Sequence, residues 1–159
     1  MLNIHPATRD DVPTLLSLIR ELAAYEKKAE KVVVTEDDLR RDAFGPQPKF
    51  RALIADWQGK PCGYASFFYF YSTFQGQPAL FLEDLFVLEK FRGNGIGKAL
   101  LFDVAKLAMK EGCFGLRWEV LDWNQPAIEF YEKLGAIFLN ERKVVAFDKE
   151  ALRRVAGKG

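Results

Sequence analysis

Phe81-Leu82-Glu83-Asp84-Leu85-Phe86-Val87 and, three residues later, Phe91-Arg92-Gly93-Asn94-Gly95-Ile96-Gly97-Lys98 decide how this chain is read. The first is an apolar, aromatic run interrupted by two carboxylates, the pattern of a buried strand. The second is glycine-rich and opens into Ala99-Leu100-Leu101-Phe102-Asp103-Val104-Ala105-Lys106-Leu107-Ala108, apolar at helical spacing. Strand, loop and helix therefore follow in direct succession. A helix that starts behind glycines offers free backbone N–H groups and the positive end of its dipole, which together suit a phosphate. Arg92 adds a fixed positive charge at the entrance of the loop.

Three kinds of phosphate loop compete for this turn. A nucleotide P-loop needs Gly, four residues, then Gly-Lys-Ser/Thr. Gly97-Lys98 fit, but Arg92 stands at the first glycine and Ala99 at the hydroxyl position, so the usual magnesium ligand is missing. A dinucleotide fingerprint needs a third glycine where Lys98 stands. The pattern left is Arg-x-x-Gly-x-Gly, carried by Arg92, Gly95 and Gly97.

The remaining sequence frames this unit. With 159 residues, 49% hydrophobic and 14% aromatic, the chain is expected to be one globular domain and not a disordered one. A net charge of +1 gives no support for nucleic acid as a partner. Cys62 and Cys113 lie far apart without metal-ligand spacing. The sequence shows neither a secretory leader nor an apolar run of membrane-spanning length, so both cysteines are read as reduced core thiols of a cytoplasmic protein with no membrane partner. No metal is expected: His5 is the single histidine and sits in a short N-terminal strand.

In chain order, Leu2–Pro6 reads as a strand, and Thr8 to Asp11 as the capped start of a helix that buries Leu15, Leu16, Leu18, Ile19 and Leu22. Thr35-Glu36-Asp37-Asp38 repeats the capping signature before a shorter helix towards Phe44-Gly45. Residues 50–57 and 62–71 are expected to form a hairpin across Gln58-Gly59-Lys60-Pro61, and the aromatic stripe of Tyr64, Phe67, Phe68, Tyr69, Phe70 and Tyr71 to be mostly core. Gly112 ends the long helix, and residues 116–120 form another strand. Asn124-Gln125-Pro126 opens a helix carrying Ala127, Ile128, Tyr131 and Leu134 that stops at Gly135. Residues 136–148 are expected to supply the last strands. The tail, Lys149 to Gly159, has a short helical pattern and a basic end. The class is α/β, a mixed sheet flanked by helices.

The loop, the strand before it, and the frame from Asn124 through Tyr131 to Ala136 resemble the GNAT superfamily of acetyl-CoA-dependent N-acetyltransferases. Within it the chain is most similar to the spermidine/spermine acetyltransferase group, which includes thialysine ε-acetyltransferases. The matching stretches are Ile19-Arg20-Glu21-Leu22-Ala23, Phe44-Gly45, Tyr71-Ser72-Thr73-Phe74, Leu82-Glu83-Asp84 and Leu121-Asp122-Trp123-Asn124-Gln125. Phe74 stands where the family pattern has a tryptophan. The resemblance implies a single N-acetyltransferase domain over residues 1–159, with a mostly antiparallel central sheet splayed at the acetyl-CoA cleft. It also implies acetyl-CoA as co-substrate, a small amine as acceptor and a homodimer. Cofactor contacts carried over are Leu85, Phe86, Val87, Arg92, Gly93, Asn94, Gly95, Ile96, Gly97, Lys98, Asn124, Tyr131 and Lys133. Substrate contacts are Glu83, Asp84, Tyr25, Glu26 and Phe74, and the catalytic pair is Glu83 and Tyr131.

Chemistry supports these residue types. An alkylamine of pKa near 10.4 is neutral in only about one molecule in a few thousand at pH 7, and only the neutral form attacks a thioester. A carboxylate such as Glu83 can take its proton directly or through water, while Asp84 attracts and orients the cation. Strand neighbours point to opposite faces, so a regular strand would send these two acids apart. The arrangements open to them are a salt bridge, a local bulge, or a wet cleft where strands splay. Tyr131 is less acidic than a thiol by roughly 1.5 units, so a hydrogen bond to the departing sulfur that strengthens in the transition state is the expected role. Two other functions fit the same residues: a protein lysine acetyltransferase, and a catalytically silent CoA-binding module.

Overall fold

In the computed structural model, which describes residues 1–157, the chain divides into two compact units, residues 1–119 and residues 120 onward. The basic end expected at Lys158-Gly159 lies outside the described residues. The first unit is built on a sheet of order β1-β2-β3-β4-β5: β1 (Leu2–Pro6), β2 (Arg51–Trp57), β3 (Lys60–Ser72), β4 (Gln77–Val87) and β5 (Leu116–Trp118). All neighbours are antiparallel except β4 and β5. The mixed, mostly antiparallel sheet is the one expected.

Helices cover both faces. α1 (Val12–Tyr25) and α2 (Glu36–Phe44) close one core with Val12, Leu15, Leu16, Leu18 and Leu39 against Ala52, Tyr64 and Phe86 of the sheet. Ile19 and Leu22 are only partly buried at its margin. Thr8 and Asp11 do form a capping box, but the residues between them make a turn of 3-10 helix, and α1 proper begins at Val12. Thr35 caps α2 as expected, its hydroxyl accepting from the Asp38 N–H at 3.1 Å. α3 (Ile96–Lys110) contacts β2, β3 and β4 and carries Leu100, Leu101 and Val104 as its buried stripe. Across from Phe67, Arg51 pairs both guanidinium ends with Glu111 just past α3, at 2.9 and 2.6 Å.

The β2–β3 hairpin is tighter than expected. Gln58 and Gly59 alone turn the chain, both at positive φ (52° and 77°), while Lys60 and Pro61 already belong to β3. Positive φ at both central residues matches the twist of the flanking strands. Tyr64 and Phe67 are buried as expected of core aromatics, but Tyr69 and Tyr71 are exposed, because β3 runs beyond the helices that cover its first half. Cys62 is a core thiol donating to the Ala55 carbonyl at 3.2 Å; Cys113, after α3, is only half-buried. His5 shares Asp56 with its Nε2 at 3.1 Å.

Two expectations about strands fail. β5 ends at Trp118, two residues early. Residues 136–148 form no strand among the described residues; a single turn, Arg142 N–H to Leu139 carbonyl at 3.2 Å, is what remains of the expected pairing. Val144, Val145 and Phe147 are exposed there, Val145 to 91%. The second unit consists otherwise of α4 (Gln125–Lys133) and α5 (Lys149–Ala156). Among the described residues no helix is long and apolar enough to cross a membrane.

Candidate active site

β4 and β5 pair over three residues only, Leu80 to Leu82 against Leu116 to Trp118. From Glu83 to Val87 that edge of β4 has no strand beside it among the described residues, while β3 continues to pair along the other edge. The Leu88 N–H donates to the Cys62 carbonyl at 2.8 Å, and antiparallel pairs alternate. Phe86 therefore bonds towards β3, and Leu85 and Val87 turn their N–H and C=O groups to the open edge. The Val87 carbonyl agrees: it accepts from Arg92 Nε at 2.9 Å. Two backbone donors on an open edge suit a ligand built of amides.

The two carboxylates sit where this edge opens. Phe67 faces Leu82 and Ser66 faces Asp84, so Glu83 is an extra residue bulged out of the ladder. Of the arrangements left open by the sequence, a bulge is therefore realised, though in an inner strand. It changes the phase of β4. Leu82 follows Phe67 on one face, and Asp84 follows Ser66 onto the face shared by Tyr64 and Phe86. Strict alternation of Glu83 and Asp84 is lost with it, which corrects the expectation for a regular strand.

Electrostatics follow from that placement. Burial pushes the Glu83 carboxyl above its ordinary range, and the negative charges of Asp84, Glu119 and Glu26 push it further. Asp84 is more buried and is also raised by burial, against the opposing pull of the Ser66 and Tyr64 hydroxyls. The Ser66 hydroxyl donates to Asp84 Oδ2 at 2.6 Å. Three carboxylates thus act on Glu83, and no salt bridge relieves Glu83 or Asp84 among the described residues. A site of this kind attracts a cation and favours taking up a proton.

Beyond Val87 the loop is shaped by two glycines. Gly93 and Gly95 have φ of +82° and +75°, closed to branched residues. Gly97 differs from expectation: it is already helical, and a Cβ there would sit 3.7 Å from Val87 Cγ2, an ordinary contact. The first intrahelical bond runs from the Ala99 N–H to the Gly95 carbonyl at 3.0 Å, so the N–H groups of Ile96, Gly97 and Lys98 precede the helical ladder. Asn94 ties the loop by donating to the Phe91 carbonyl at 2.9 Å. Lys98 lies over the Phe102 ring at 5.3 Å. Arg92 is braced, its guanidinium carbon 4.6 Å from the Tyr25 ring centroid and 5.6 Å from that of Phe86.

The first unit thus gathers Tyr25, Glu26, Glu83, Asp84, Leu85, Phe86, Val87 and Arg92 around one end of β4, with the loop of residues 93–98 after it. It does not bring in Phe74. That residue is fully exposed at the tip of the β3–β4 hairpin, about 20 Å of strand from Asp84. In the second unit Asn124 caps α4, its Oδ1 accepting from the Ala127 N–H at 3.4 Å. Tyr131 is the buried residue of α4, its ring 5.4 Å from that of Phe130, and Lys133 is the exposed last residue of the helix. Gly135, at φ +82°, ends the helix as expected. Sequence reading missed Ser66 and Glu119. Ser66 had one signal: it is the lone hydroxyl inside Tyr64-Ala65-Ser66-Phe67-Phe68, a run that otherwise reads as core.

Comparison with known proteins identifies the family. The profile of the acetyltransferase (GNAT) family matches residues 15–136. Thialysine N-epsilon-acetyltransferase of Bos taurus is 41% identical over 167 residues, covering 98% of this chain and 97% of that protein. Spermidine/spermine N(1)-acetyltransferase-like protein 1 of Homo sapiens is 34% identical over 96% of this chain, which corresponds to 23% of its own length. Among solved structures, the integron cassette protein VCH_CASS6 from the mobile metagenome of V. cholerae superposes with a TM-score of 0.83 at 24% identity, over 98% of this chain and 97% of that one.

Proposed function

This chain belongs to the acetyltransferase (GNAT) family, and from that premise we propose that it moves the acetyl group of acetyl-CoA directly onto a primary amine of a small polycationic or lysine-like substrate. One observation carries the reading: β4 loses its β5 partner where Glu83 and Asp84 stand, and leads from there into the glycine loop and the start of α3. One strand–loop–helix unit would thus supply acids for an amine, amides for a pantetheine arm and N–H groups for a pyrophosphate. We take residues 1–159 as one N-acetyltransferase domain; the family match runs unbroken from residue 15 to 136, across the boundary between the two units.

In this reading the Leu85 and Val87 N–H groups align the pantetheine amides, and one of them polarises the thioester carbonyl. The Ile96, Gly97 and Lys98 N–H groups meet the pyrophosphate, with Arg92 and Lys98 as its cations. The amine arrives as a cation, drawn by Glu26, Glu83, Asp84 and Glu119. Glu83 takes its proton, directly or through a water, and its raised pKa brings its basicity closer to what that transfer needs. The neutral amine attacks the acetyl carbon, the tetrahedral intermediate collapses with cleavage of the C–S bond, and the second nitrogen proton passes to the departing CoA thiolate, leaving the amide and the free thiol. Tyr131 donates a hydrogen bond to the departing sulfur. No acetyl-enzyme is required, so neither cysteine takes part.

The test is turnover of acetyl-CoA with spermidine, thialysine, lysine and lysine-containing peptides at equal concentration. Acetylation of the free amines with little on the peptides is the expected result. Exclusive turnover of peptides would make the protein a lysine acetyltransferase for proteins. Acetyl-CoA binding without acetylation of any amine would leave a silent CoA-binding module.

A further inference from the structure

Asp84 is placed among donors that the reaction itself does not use. Its cross-strand partner is Ser66, whose hydroxyl meets Oδ2 at 2.6 Å, and Tyr64 stands two residues along β3 on the same face. Both β3 side chains are buried, Tyr64 to 0% exposure. The Tyr64 hydroxyl is sealed from solvent without a well-formed hydrogen bond. A buried hydroxyl left so costs stability that the surrounding aromatic core has no need to spend, since Phe would fill the same volume. The carboxylates acting on that hydroxyl are Asp84 first, then Glu26 at the end of α1 and Glu83 on the bulge.

We propose that Tyr64 and Ser66 are positioning residues for Asp84, a pair of buried hydroxyls on β3 that hold its carboxylate in one orientation and leave its remaining lone pairs to the amine. The bulge at Glu83 makes this possible, because in an unbulged register Glu83 would face Ser66 and Asp84 would face Ala65, on the opposite face from both hydroxyls. Burial alone would favour a protonated, freely turning carboxyl at this position. Two donors from one rigid strand oppose that, and they keep an anion pointed at the cleft when the amine arrives. The groups around Asp84 are Ser66 and Tyr64 from β3 and its neighbour Glu83, with Glu26 from the end of α1 acting on Tyr64 and Glu83 and Glu119 after β5 acting on Glu83. The three acids among them hinder ionisation of the cluster, so the hydroxyls are the groups that restore it. The role in amine binding rests on the reaction proposed above; the hold on Asp84 does not.

The experiment compares the full-length protein with Ser66→Ala, Tyr64→Phe and Ser66→Thr. The Asp84 carboxyl is titrated by carbon-13 NMR on aspartate-labelled protein, and acetylation of spermidine and thialysine is measured from pH 5 to 9. Loss of either hydroxyl should move the Asp84 titration to higher pH. It should also raise KM for the amine about three- to tenfold below neutral pH, with kcat less affected, and the defect should shrink as pH rises. Ser66→Thr, which keeps a hydroxyl, should titrate like the parent. An Asp84 titration unchanged in both variants overturns the proposal, as does a shifted titration with KM untouched in an active enzyme. If the parent acetylates neither amine while the Asp84 titration still shifts, the proposed reaction has failed and the hold of the two hydroxyls on Asp84 stands.

Discussion

Phe81–Val87 and Val144–Phe147 carry the same strand-forming residue types, and only the first is a strand. The first pairs with β3 along its length and with β5 at its start, with helices over both faces of its sheet, so Leu82 and Phe86 are buried. The second lies in the unit of residues 120 onward, where α4 and α5 offer no sheet edge and Val145 stays in solvent. A strand earns its hydrogen bonds from a neighbour, not from its own residues, so the same pattern yields a ladder in one place and an extended run in the other. The comparison also separates the chemistry. The acids and the phosphate loop belong to the paired region, whereas the proposed sulfur donor, Tyr131, comes from a helix of the other.

The sharpest way to test that division is Tyr131→Phe, which removes the hydroxyl and keeps the ring on α4. We expect kcat to fall roughly ten- to ten-thousand-fold with acetyl-CoA affinity and thermal stability nearly unchanged. An acetyl donor with a more acidic thiol should recover part of the rate. An equal loss for good and poor leaving groups would mean that Tyr131 orients the cofactor without acting on its sulfur.

A paired stability measurement addresses the two runs themselves. Leu82→Ala should cost about 2–5 kcal/mol in urea unfolding, as a buried leucine between strands does. Val145→Ala should stay within about 0.5 kcal/mol. Comparable losses at the two sites would show that residues 144–147 are covered in solution.

Within the paired region, Gly95→Val should weaken acetyl-CoA binding by about tenfold or more in calorimetry, because φ of +75° is strained for a branched residue. Gly97→Ala should leave the helix intact, since the added methyl meets only Val87 Cγ2 at 3.7 Å. Any loss of affinity in that variant then reports a ligand lying against the helix start.

The smallest effect concerns pH. Asp84 has a raised folded pKa, so between its unfolded and folded values the native state holds more protons, and stability falls as pH rises through that window. Asp84→Asn should therefore melt at a higher temperature than the parent at pH 7 to 8, and the difference should vanish in acid, once Asp84 of the parent is protonated both folded and unfolded. A difference that is constant with pH would locate its cause in packing instead of charge. Activity should fall in the same variant, as expected where a costly buried acid serves the reaction.

Much of this was readable from local pattern. The capping signatures at Thr8 and Thr35, the apolar stripes of α1, α3 and α4, the glycine stop at Gly135 and the strand–loop–helix unit all rest on interactions a few residues apart. Such interactions are written into neighbouring side chains and hold wherever the segment sits. The candidate residues Glu83, Asp84 and Arg92 stand out for the same reason, as charges inside or beside an apolar run. What tertiary structure decided depends on partners distant in sequence. The bulge exists because Ser66 and Phe67 fix where Asp84 and Leu82 must pair; the open edge exists because β5 stops at Trp118; and residues 136–148 lack a ladder because nothing local can supply one. Register belongs to a pair of strands, and a single sequence carries only one side of each pair.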